Sequence, residues 1–136
     1  MKRSINAALL VFVLVGAGIP AWAHHSFAAS YDMSQTFTIQ GTLYEVRLTN
    51  PHSWFFVDVK DPASGKVERW SFEAGTPSGM LRNGFKASEV KSGNVVTVKA
   101  YHARDVSAKA GMLQQLTTAE GKVFTLYGPQ EAAAGR

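Results

Sequence analysis

Between Thr36 and Leu48 the apolar residues change sides. Phe37, Ile39 and Leu43 fall on one parity of an extended chain, with Gly41 between them, while Val46 and Leu48 fall on the other. Successive side chains of a strand point to opposite faces, so this segment must change the face it buries. That needs a bulge or a strong bend, and Gly41 is the hinge on offer. A small closed barrel uses a long, bent first strand of this kind to serve both halves of its wall.

The remaining segments suit that barrel. Trp54 to Lys60 is dense in aromatic and β-branched residues and reads as a second strand, with Phe55, Val57 and Val59 on one face. Asp61 to Gly65 is a turn, and Val67 to Ala74 a third strand. Thr76 and Pro77 suit the cap and first position of a short helix that buries Met80 and Leu81 and ends at Gly84. Phe85 then packs back onto the core. Val95 to Tyr101, Met112 to Thr118 and Val123 to Tyr127 complete the strands, with a polar loop from His102 to Gly111. The expected class is all-β with one short helix, a small OB-fold-like barrel of five to six strands. A β-sandwich and an open β-roll compete, but the helix between strands three and four favours the barrel. Phe37, Ile39, Leu43, Val57, Trp70, Phe72, Val96 and Val98 are expected in the core.

The first residues set the compartment. Met1-Lys2-Arg3 is a short basic start, Ala7 to Gly18 is apolar and uncharged, Pro20 ends that run, and Ala21-Trp22-Ala23 has the small-x-small pattern of a cleavage point. These are the three regions of a secretory signal peptide. The run is shorter than the roughly 20 residues that cross a bilayer. The chain is therefore expected to divide into a signal peptide at 1–23, an arm at 24–35, a barrel at 36–128 and a disordered tail at 129–136. No stable membrane anchor is expected once the leader is cut. There is no cysteine, so neither a disulfide nor a lipidated N-terminal cysteine is available. Lys2 and Arg3 carry half of the formal net charge of +4 and leave with the leader. The mild remainder is no nucleic-acid footprint, and nucleic acid is not expected as a partner.

The most informative local stretch runs from Leu48 to Lys60. Asn50-Pro51 is turn chemistry, and His52 stands where the chain re-enters regular structure. Trp54 and Phe56 share a face with Asp58 and Lys60, so two large aromatics sit on the wet side beside a turn histidine. Ala23-His24-His25-Ser26-Phe27, Gly41-Thr42-Leu43 with Val46, Thr49-Asn50-Pro51-His52, Trp70-Ser71-Phe72-Glu73 and Gly93 to Val98 together resemble a family of small exported bacterial proteins known only as a domain of unknown function. The resemblance covers nearly all of the chain beyond the leader. It implies a Gram-negative periplasmic setting and brings no catalytic residues.

All four histidines lie beyond the leader: His24, His25, His52 and His102. In an OB-like barrel, His52 falls in the loop between strands one and two. His102 falls at the start of the loop between strands four and five. These loops flank the binding face of such barrels. His52, Trp54, Phe56 and His102 are thus the candidate ligand-binding rim, with Tyr101 as a further aromatic. His24, once N-terminal, offers its α-amine and imidazole together. With His25, His52 and His102 it makes a nitrogen set suited to Cu(II), with Zn(II) or Ni(II) as lesser options. Against this, turn histidines commonly just bond their neighbours. No CxxC or HExxH occurs, and there is no phosphate loop, nucleophile elbow or cysteine nucleophile. Glu73 reads as a solvated strand end. The expectation is a non-enzymatic periplasmic binding or accessory module for a small ligand or a periplasmic protein. The alternative is a periplasmic copper-binding protein.

Overall fold

The computed structural model describes residues 27–127. A single helical turn, α1 (Phe27–Ser30), leads into the long strand β1 (Tyr31–Arg47). Then come β2 (Trp54–Lys60), β3 (Val67–Glu73), helix α2 (Pro77–Arg82), a 3₁₀ turn at Ala87–Glu89, β4 (Val95–Ala103), β5 (Ala110–Thr118) and β6 (Val123–Thr125). β1 pairs with β2 along one part of its length and with β4 along another; β5 joins β4 antiparallel. Parallel pairing of Ser71 to Glu73 on β3 with Ala110 to Met112 on β5 closes five strands into a barrel, and β6 adds an extra strand to β5. The strand order, with α2 between β3 and β4, fits the OB-like description. No helix among the described residues is long and apolar enough to cross a membrane.

The change of side in β1 is real, but it divides between two residues. The register against β2 slips between Leu43 and Glu45, leaving Tyr44 as the extra residue. Leu43 is buried and Val46 packs against the core, so the slip lets both parities face inward. Gly41 serves close approach instead. A Cβ there would lie 2.5 Å from the Asp58 carbonyl oxygen and 2.7 Å from a Val57 methyl, so no side chain fits where β1 crosses β2.

Several boundaries differ from the sequence reading. β1 starts at Tyr31, before the expected Thr36, because a second slip between Asp32 and Thr36 restores pairing with His102 and Ala103. Asp32 accepts hydrogen bonds from the backbone and hydroxyl of Ser34 at 3.0 and 2.6 Å within this slip, which hides the alternation. β4 correspondingly runs through His102, which therefore lies on a strand and not in the loop. β5 begins at Ala110, so the loop is shorter than expected.

The core packs Phe55, Val57, Phe72, Val96, Val98 and Leu116 from the strands against Met80, Phe85 and Val90 from α2 and the segment after it. Each such aromatic contributes about 1.5–3 kcal/mol by leaving water. Phe85 meets Phe55 and Phe124 edge-on at 5.6 and 5.4 Å. Thr76 caps α2 by accepting from the Gly79 N–H at 3.1 Å, and Gly84 follows the helix with φ +87°, a left-handed conformation suited to glycine. Leu81, expected to bury, is 57% exposed, because so short a helix turns only one side to the barrel. Phe37, Ile39 and Trp70 are half-buried, covering the core from outside its fully buried part. Trp70 lies between Phe72 and Phe37, at 6.1 and 5.6 Å, with the Lys109 ammonium over its ring.

Candidate functional site

The turn Thr49 to His52 contains a cis Asn50-Pro51 peptide, and the Thr49 hydroxyl donates to the His52 carbonyl at 2.9 Å. Directly after it, two backbone bonds continue the contact of β2 with β3: Ser53 N–H donates to the Gly75 carbonyl at 3.1 Å, and Ala74 N–H donates to the Ser53 carbonyl at 2.8 Å. This extension sets His52 beside Glu73, the last residue of β3. His52 Nδ1 lies 2.6 Å from Glu73 Oε1, and the Tyr31 hydroxyl donates to Glu73 Oε2 at 2.6 Å.

Glu73 is thus a buried carboxylate, 9% exposed, with a donor on each oxygen. It is not the solvated strand end that the sequence suggested. Burial disfavours a charged carboxylate, and two short charge-assisted bonds offset that cost. Burial first, then the hydrogen bond to Glu73 and its charge, pushes the Tyr31 phenol well above the usual tyrosine range. Tyr31 therefore stays a donor. An ionised carboxylate has no hydrogen to give, so His52 donates from Nδ1. Its Nε2 edge is directed away from Glu73, and the side chain keeps 22% of its exposure.

An aromatic group completes the cluster. The Phe27 ring lies 4.6 Å from His52, 5.0 Å from Tyr127 and 6.4 Å from Tyr31. α1 is pinned by Arg104, whose Nε donates to the Ala28 carbonyl at 2.7 Å and whose backbone N–H donates to the Ser30 carbonyl at 2.9 Å. Phe27 from α1 and Tyr31 from the start of β1 thus both join the cluster around His52 and Glu73. The buried Ser53 hydroxyl, next to His52, has no partner among the described residues.

The other expected site residues have different surroundings. His102 is exposed, packs on Phe37 at 4.4 Å, and faces Asp32 across the β1–β4 ladder. Its neighbours are thus distinct from those of His52. Trp54 and Phe56 are half-buried on the outer face of β2. The Arg47 guanidinium covers Phe56 at 4.7 Å while bound to Glu45 at 2.8 Å. Arg69 likewise covers Tyr44 at 3.3 Å while bound to Asp58 at 2.8 Å. This face is aromatic, and Arg47 and Arg69 on it are each paired with a carboxylate. His24 and His25 lie outside the described residues. Among the described residues, no group of three or more histidine and carboxylate side chains is arranged to hold a metal ion.

Tyr31, Glu73 and Tyr127 were missed as site residues. Tyr31 and Glu73 are 42 positions apart, and nothing local in either segment signals the contact.

The class defined here is a small OB-like barrel with a histidine held by a buried carboxylate at one loop. The chain belongs to a family of unknown function (DUF6152), whose model matches residues 11–113. A comparison with curated proteins gives no match.

Proposed function

We propose that this chain is an exported, non-enzymatic binding module that takes its ligand on the rim around His52. The observation that carries this reading is the chain of contacts from Tyr31 to Glu73 to His52. It holds a partly exposed imidazole in one orientation before any ligand arrives, and such prior ordering lowers the cost of binding. Phe27, which packs on the imidazole, and Tyr127, which packs on Phe27, complete the rim. A leader cut after Ala23 delivers the module to the periplasm, where a small molecule or another periplasmic protein is its partner. Intact mass of protein recovered from the periplasm tests export: the expected N-terminus is His24, and a species retaining Met1 overturns it. Native mass spectrometry of the same material tests binding. A bound adduct should be lost in His52→Ala that remains folded by circular dichroism, and an adduct kept by that variant moves the site elsewhere.

A second reading is favoured by the Nδ1–carboxylate contact, because metal-ligating histidines commonly donate their other nitrogen to a carboxylate. Here Cu(II) would be held by His52 with His24 and His25; His102, with its separate neighbours, does not join it. One equivalent should bind near pH 7 and weaken in acid, below about pH 6, because an imidazole must be unprotonated to coordinate. Calorimetric titration of the processed protein checks this, and a site that survives His52→Ala excludes His52 from it.

A further inference from the structure

A cleft of about 500 Å³ opens between the bulged start of β1, the last part of β4, one side of α2 with its caps, and the chain just after β6. That volume is in the range of small-molecule sites. It lies next to the His52 rim through Tyr127, whose ring also meets Phe27. It is a separate place, and what it binds goes beyond the reading above.

Three features define its chemistry. First, no charged side chain lines it among the described residues; it is lined by Met33 and Met80 and by Tyr101 and Tyr127, with Thr76 and Asn83 as its other polar side chains. An ion would leave water there without a countercharge, which is costly. Sulfur and phenol rings instead favour an aromatic guest. Second, the backbone keeps the walls at their spacing. A Cβ on Gly75 would lie 2.9 Å from the Leu126 carbonyl oxygen, so a side chain there would push the two walls apart. The slip between Asp32 and Thr36 takes Met33 out of the β1–β4 ladder and leaves it 36% exposed on the cleft. Third, the polar end is incompletely satisfied. Gln114 Nε2 donates to the Tyr101 hydroxyl oxygen at 3.0 Å, which leaves the Tyr101 hydrogen to donate to a guest. Gln114 Oε1 is buried with no partner among the described residues, one bond behind Tyr101.

We infer that this cleft binds an uncharged aromatic molecule carrying a hydroxyl group, with the ring beside the methionines and tyrosines and the hydroxyl at Tyr101. 2-Naphthol and the anion 2-naphthoate are matched probes, compared at pH 7 by fluorescence anisotropy on the full exported chain. 2-Naphthol should bind at least tenfold tighter than 2-naphthoate. Tyr101→Phe keeps the ring and removes the hydroxyl, and should weaken 2-naphthol about five- to tenfold. Met33→Glu, a change at a partly exposed position, should weaken it more than tenfold by placing a charge at the mouth. Equal affinity for the two probes, no saturable 2-naphthol binding below about 1 mM, or binding indifferent to both substitutions each overturns the inference.

Discussion

Two sets of charge-assisted contacts lie within a few strands of each other and do different work. On the outer face, Arg47 with Glu45 and Arg69 with Asp58 meet at 2.8 Å in solvent. At the rim, His52 and Tyr31 meet Glu73 at 2.6 Å, with Tyr31 and Glu73 largely out of water. The bond lengths are similar and the surroundings are not. In water, the members of a broken pair are rehydrated, so a surface pair contributes little. A buried carboxylate deprived of its donors keeps its desolvation cost, so losing one member of such a cluster is expensive. The rim is therefore where single substitutions should be felt, both in stability and in the orientation of His52.

The sharpest way to break this comparison is Glu73→Ala. It removes the carboxylate but leaves the Tyr31 hydroxyl and the His52 Nδ1 without their acceptor, and should cost about 3 kcal/mol in urea unfolding, for two donors that lose their bonds in a largely buried place. A cost no larger than that of the surface pairs would remove the distinction.

Tyr31→Phe should come next, at about 2 kcal/mol for a lost bond to a charged acceptor. It also carries a pH signature. The folded pKa of Tyr31 lies above its ordinary value near 10. Its contribution is thus complete below about pH 10 and declines as pH rises from there towards the folded value. Denaturation midpoints between pH 9 and 12 should fall in the parent, and this component of the fall should be missing from Tyr31→Phe.

Phe27→Ala should cost about 1 kcal/mol, as removal of half-buried aromatic contacts does. It should also shift and broaden the His52 imidazole resonances in NMR spectra, because the ring loses its neighbour on one face. Unchanged resonances would show that Glu73 alone holds the imidazole.

The smallest effect belongs to Asp58→Ala. Arg69 holds the Asp58 carboxyl below the usual carboxylate range, so any contribution is present above about pH 4 and lost as pH falls through the lowered value. Solvent screens the pair, and the change in urea midpoint should vanish in high salt.

Much of the barrel was legible because it rests on short-range rules. The parity change in β1 announced a strand that serves two faces, and Leu43 and Val46 do both turn inward. Thr76, Pro77 and Gly84 marked α2 through backbone chemistry that any sequence obeys. The bulge at Tyr44 was placed at Gly41 in the sequence reading, because a glycine signals both a hinge and a close crossing and only the neighbouring β2 distinguishes them. His102 read as a loop residue because its strand partner Asp32 lies in a segment without visible alternation.

What the sequence by itself determined is therefore the class of fold, the β-strand content and the position of His52 in a turn at the edge of a strand. Alternation, turn residues and capping residues act within a few positions of one another. The tertiary structure alone decided that Glu73 is buried, that Tyr31 and His52 share its carboxylate, and that Phe27 closes over the histidine. A carboxylate looks hydrated in every local pattern. It becomes an interior group here because closure of the barrel brings donors from β1 and from the β1–β2 turn to the end of β3, and those bonds compensate the water it loses.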